Sequence, residues 1–121
     1  MRRDDLYLND IVEAADHIAT FLGKSDLEGF RQSELIRSAV VQKLLIIGEA
    51  AARISDEVRG RYPQIPWPQV VAFRNILIHA YFGIDWHEVW KAAQVDCPAL
   101  RREVTHILEA EFGGPEGDSS S

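Results

Sequence analysis

The chemistry-bearing stretch of this 121-residue chain is FRNILIHAYFGIDW, residues 73 to 86. It sets Arg74, Asn75, His79 and Tyr81 among Phe73, Ile76, Leu77, Ile78 and Ala80. A charged side chain is costly to bury without a partner, so these groups either face one another or water in a cleft, or lie where a second molecule completes the surface. Together they could cleave a phosphoester. Histidine titrates near neutral pH and can take a proton from a ribose 2′-hydroxyl or return one to the leaving oxygen. Arginine offers a permanently charged planar fork to phosphate oxygens. Asn75 could orient either group, and Tyr81 could bond a phosphate or stack on a base. The structural alternative is that Arg74 pairs with a buried acid such as Glu49, while His79 and Tyr81 cap a helix end.

Spacing limits the first reading. At about 100° per residue, Arg74 and Tyr81 fall nearly on one line of a helix, whereas His79 lies about 140° from Arg74, beside Asn75. Two things could reunite the arginine and the imidazole: a loosened last helical turn before Gly83, or a twofold dimer that sets one subunit's helix beside the other's.

The elements that must hold this stretch are helical nearly throughout. Leu6, Ile11, Ala15, Ile18 and Leu22 recur at helical steps, giving a first helix from about Asp5 to Leu22, stopped near Gly23. Ser25 or Asp26 can cap a short turn that Gly29 breaks. A second long helix runs from about Ser33 to Ile54. Its apolar positions, Leu35 and Ile46 among them, fill about half the circumference, more than one packing partner needs. Gly48 within it costs roughly 1 kcal/mol relative to alanine and implies a close backbone approach. SDEVRGRYP reads as a short helix capped by Ser55 or Asp56 and ended before Pro63. Pro66 and Pro68 suit a third long helix beginning near Trp67. It is expected to run to Tyr81 or Phe82, with Gly83 as a left-handed C-cap. Asp85, with Glu88 three residues on, opens the last helix in capping-box spacing, and Pro98 must kink or interrupt it. The expectation is an all-α, up-and-down bundle of four to six helices over residues 1–112, with 113–121 as a disordered tail.

Composition narrows the function. Apolar residues make up 46% of the chain, enough for a core. The net charge of −6 argues against a broad basic face for duplex nucleic acid, though not against a small site that handles one phosphate. No apolar run approaches membrane-span length, the N-terminus has no signal-peptide core, and the single cysteine, Cys97, excludes an intrachain disulfide, so a cytoplasmic protein is expected. His87-Glu88 lacks the second histidine of a zinc-protease motif, and His17, His79, His87 and His106 are scattered, so no metal or cofactor is expected. Trp86 and Trp90 read as a core or interface stripe, Cys97 as packing, and Arg101, Arg102 and Glu103 as a solvated face.

RNILIHAYFGID resembles the R-X4-H-X-Y motif of HEPN-domain proteins, specifically the HepT-like (DUF86) family. The likeness extends over residues 44 to 100, with the IGEAA segment, RYPQIPW and the D-x-P-x-L close, and the opening YLNDIVEAADHIATF fits the family's first helix. The resemblance implies a helical bundle in a twofold homodimer whose two motifs line a shared cleft. It implies a metal-independent endoribonuclease, the toxin of a type VII-like toxin–antitoxin pair. Its RNA-cleaving pair would be Arg74 and His79, supported by Asn75. A minimal nucleotidyltransferase antitoxin would silence it by attaching AMP to Tyr81. A different class also fits the resemblance: a non-catalytic helical dimer that binds and regulates a nucleotidyltransferase, with Arg74 holding its nucleotide. A plain dimeric scaffold is the third reading.

Overall fold

A computed structural model describes residues 3–115. Its helices are α1 (Asp4–Leu22), α2 (Leu27–Gln32), α3 (Glu34–Arg53), α4 (Asp56–Arg61), α5 (Trp67–His79), α6 (Trp86–Lys91) and α7 (Cys97–Phe112). A 3-10 turn at Tyr81–Gly83 follows α5, and a π-helical turn at Ala92–Asp96 joins α6 to α7 in one rod. The architecture is an all-α bundle, with no strand among the described residues.

Local sequence sets the helix starts. The Asp26 carboxylate accepts from Gly29 N–H at 2.8 Å, Ser33 from Ile36 N–H at 3.1 Å, and Ser55 from Val58 N–H at 3.3 Å. Each satisfies a donor that the first turn leaves free. Asp85 caps α6, as expected, through His87 N–H at 3.0 Å. At the other end of α3, Arg59 donates to the carbonyls of Ile54, Ala51 and Ala52 at 2.8–3.0 Å, closing a terminus that has no glycine stop.

The long helices pack in the spatial order α5–α3–α1–α7. Leu8, Ile11 and Ile18 of α1, Val40 and Ala51 of α3, and Val104, Ile107 and Leu108 of α7 are fully buried between them. Ser55 adds a polar tie, donating from its amide and hydroxyl to the two Asp4 carboxylate oxygens at 2.9 and 2.6 Å. The broad apolar stripe of α3 is explained by its position between α1 and α5, although Leu35 and Ile46 remain exposed. Phe30 of α2 packs against Trp90 and Trp86, ring centroids 5.4 and 6.3 Å apart, so the tryptophan pair does build core on this side. Burial pushes the Cys97 thiol up to about 12, consistent with a packing role. Arg101, besides facing solvent, reaches Asp16 on α1.

Two expectations need correction. The third long helix ends at His79, not at Tyr81 or Phe82, and Gly83 is not a left-handed cap. Ala80 leaves helical geometry at φ −125°, ψ 32°, and the chain turns tightly through Gly83 N–H to Ala80 O at 2.9 Å. The turn brings the Tyr81 ring edge-on to Trp86, centroids 6.4 Å apart, a contact a straight helix would carry past. Pro98 does fall at an interruption of the α-helical bonding, but one that keeps the rod continuous. The π turn before it shifts the bonding register, with Cys97 N–H reaching Ala92 O, and the proline enters α7 in its first turn, where its missing donor is harmless. Past α7, Gly113 is left-handed at φ 81°, Gly114 N–H returns to Leu108 O at 2.9 Å, and Pro115 is buried. The tail expectation otherwise falls on residues 116–121, outside the described residues.

Candidate functional site

The α3–α5 crossing positions Arg74. A Cβ placed on Gly48 would lie 2.2 Å from the Arg74 Cβ, so only glycine lets the arginine stem cross α3 at this depth. The close approach expected at Gly48 is thus a contact with Arg74 itself. From there the guanidinium reaches along α3, and Nη1 donates to Glu49 Oε2 in a short charge-assisted bond. The other oxygen, Glu49 Oε1, accepts from Arg53 Nε and Nη2 at 3.1 and 2.8 Å. The hydrogen bond from Arg53 is the main cause holding the Glu49 carboxyl below its ordinary value, and the charges of Arg53 and Arg74 add to it. Arg74 Nε is buried without a partner among the described residues, so the fork keeps an unused donor.

This group opens on a cavity of about 370 Å3 between α1, α3 and α5. Tyr7 and Asp10 line it from α1, Ile46 and Glu49 from α3, and Arg74 and Ile78 from α5. Paired arginines against one carboxylate can hold an anion wherever that carboxylate yields. Glu49→Gln is therefore expected to raise affinity for inorganic phosphate by about three- to tenfold, read by isothermal titration. The sign with pH is fixed. A carboxyl whose pKa is lowered keeps its charge until pH falls below the ordinary 4.5, so the variant's advantage over wild type should persist at higher pH and shrink only in that acid range.

His79 is the last residue of α5 and is exposed, on the outer face with Asn75 and Ile76, away from the cavity. Tyr81, on the 3-10 turn, is 42% exposed, its ring against Phe82 and Trp86. The line expected to join Arg74 and Tyr81 ends with the helix at His79. Within one protomer Arg74 lines this cavity and His79 does not. The alternative pairing of Arg74 with Glu49 does occur, but with an exposed carboxylate, not a buried one. Backbone bonding of Ala80 N–H to Ile76 O, not a His79 or Tyr81 side chain, closes α5. Exposed apolar side chains surround the motif: Ile76 at 55%, Ile78 at 51%, and Phe82 fully exposed.

Two arginines join this region without having been singled out in the sequence. Arg53 was legible as the i+4 partner of Glu49. Arg37, whose guanidinium carbon lies 5.0 Å from the Trp86 ring centroid, had no local signal. Among the described residues, no three His, Cys, Asp or Glu side chains converge as metal ligands would, and no helix is long and apolar enough to cross a membrane.

The family model described as "Ribonuclease HepT-like" matches residues 11–107, a span that includes α3, the crossing glycine and all of α5. The chain belongs to the HepT-like family. Among its relatives, "Putative RNase MJ1380" of Methanocaldococcus jannaschii is 42% identical over 81% of this chain and 90% of its own length. "Putative RNase MJ1216" of the same organism is 37% identical over 91% of each chain. "Probable ribonuclease HepT" of Thermococcus cleftensis is 39% identical over 78% of this chain and 86% of its own. No solved structure gives a significant match. In this HepT-like chain the match runs over Arg74, His79 and Tyr81 alike, so the whole motif lies inside the family region.

Proposed function

We propose that the protein is a metal-independent endoribonuclease, the toxin of a toxin–antitoxin pair, with its active site completed across a twofold homodimer. The observation that carries this reading is the arrangement of α5. Its Arg74 lies at a cavity lined by Glu49, its His79 is presented outward, and the apolar side chains around them, Ile76, Ile78 and Phe82, lack cover in one protomer. A twin docked over this face would bury that apolar surface and could bring His79 of one chain toward Arg74 of the other. Family membership and the relatives named as ribonucleases support RNA as the substrate.

In the proposed reaction His79 takes the proton of a ribose 2′-hydroxyl. The 2′-oxygen forms a bond to the adjacent phosphorus, the bond to the 5′-oxygen breaks, and that oxygen leaves with a proton returned by an imidazolium. Arg74 swings from Glu49 to the phosphate oxygens and meets the charge that accumulates in the transition state. Asn75, one residue along on the His79 face, orients the imidazole or the phosphate. Tyr81, exposed and reachable, is the site where a minimal nucleotidyltransferase antitoxin would attach AMP. The added phosphodiester would remove the tyrosine O–H donor and set a bulky anion on the motif's surface beside Trp86, repelling RNA. Arg37 packs on the same Trp86 ring that Tyr81 meets edge-on, and supplies a cation near that phosphate.

His79→Ala tests the reading. Cleavage of a short RNA should fall by about 100-fold or more, with helix content and assembly state unchanged. Co-expression with a nucleotidyltransferase should add AMP to the intact mass, and Tyr81→Phe should abolish the gain. One observation favours a second reading, a non-catalytic dimer that binds and regulates a nucleotidyltransferase: Glu49 already occupies the Arg74 fork. On that reading neither wild type nor variant cleaves RNA, yet both bind the partner.

A further inference from the structure

The spatial order α5–α3–α1–α7 leaves one seam of the bundle unclosed, because α5 and α7 form the two outer helices. Along that seam runs a groove of about 530 Å3. Leu44 and Ile47 of α3 form its floor, Val70 and Phe73 one wall, Cys97 and Leu100 the other. The α3 and α5 residues that line it differ from those facing the Arg74 cavity, so the groove opens on a different face.

Its rim has one sign of charge. Glu88, Asp96 and Glu103 all line it, and among the described residues no Lys or Arg does. Lys91 reaches Asp96 only from outside, at 3.6 Å between exposed groups, and Gln64 donates to Glu103 at 3.3 Å. An apolar floor between acidic edges selects an occupant with an apolar stripe and cationic flanks. Apart from Gln64, Ile65 and Pro66 before α5, the lining is helical, and no strand edge borders it among the described residues, so the occupant must satisfy its own backbone hydrogen bonds. A second copy of this chain, itself net acidic, is the wrong charge. We infer that the α5–α7 seam docks a helical segment of a partner protein, with leucine-like side chains on one face flanked by lysine or arginine. The inference is independent of the catalytic reading.

The test uses a fluorescein-labelled helical peptide with leucines at i, i+3, i+4 and i+7 and lysines elsewhere, titrated with the full chain at about 0.15 M salt. Anisotropy should report saturable binding, absent for the same peptide with glutamates in place of lysines. Ala99→Trp, a rim position that is exposed and so tolerant of size, should plug the groove and weaken binding at least tenfold. The double variant Glu88→Lys, Glu103→Lys should weaken it comparably. Glu13→Lys, exposed on α1 and outside the groove, should leave binding within twofold. The proposal is overturned if the lysine peptide does not bind, or if Glu13→Lys costs as much as the rim reversals. It is overturned likewise if Ala99→Trp, folded by circular dichroism, binds normally, or if it abolishes self-association of the chain, which would give the groove to a second copy.

Discussion

Arg74→Ala and His79→Ala protomers, each inactive alone, are expected to recover about a quarter of wild-type RNA cleavage when mixed in equal amounts and allowed to exchange. The reasoning is geometric. In one protomer Arg74 faces the cavity beside Glu49, while His79 projects from the outer face of the same helix. If each active site takes its arginine from one chain and its imidazole from the other, a mixed dimer has one intact site and one doubly damaged site. Random exchange makes about half of all dimers mixed, so about one site in four is whole. Each parent should lose at least about 100-fold, since a general base or a charge-stabilising donor contributes that much. Native mass spectrometry verifies the exchange, and a fluorogenic RNA reads the rate. Mixed dimers that form and stay silent would disprove composite sites.

The second large effect lies at the helix crossing. Gly48→Ala is expected to lower stability by about 2 kcal/mol, or roughly 8 °C in melting temperature for a domain of this size. On an isolated helix the same change would help by about 1 kcal/mol. Here a methyl group would sit 2.2 Å from the Arg74 Cβ, inside any tolerable contact, so α3 and α5 must move apart. The displaced arginine should also lose its bond to Glu49, and cleavage should fall by up to about 100-fold, as misplacement of a catalytic group does. Thermal unfolding followed by circular dichroism reads the first effect. A melting temperature equal to or above wild type would show that the crossing has slack.

Much of this architecture could be read from residue order. Gly48 stood out because glycine within an apolar helix has a cost, and the cost pointed to a neighbour's approach. It did not say that the neighbour would be Arg74, because the approach depends on how two helices cross. The end of α5 is not visible in residue order because Ala80, Tyr81 and Phe82 carry no local stop signal. The stop comes from Tyr81 meeting Trp86, a tertiary contact invisible to periodicity. Leu35 and Ile46 fit the stripe of α3 by angle, yet the bundle supplies no helix to cover them. Residue types pointed to Arg74, His79 and Tyr81 as candidates, and of these Arg74 lines the cavity. Arg53 could be found by i+4 spacing from Glu49, whereas Arg37 reaches the aromatic cluster through folding alone.

The π turn at Ala92–Asp96 has a consequence for how one rod serves two neighbours. Before it, Trp86 and Trp90 address Phe30 on α2; after it, Val104, Ile107 and Leu108 address α1. A single residue's worth of extra winding advances the phase of the downstream half by about 100°. The two halves can thus keep separate angular settings while sharing one axis, and a change in the winding of those five residues would retune one seam of the bundle against the other.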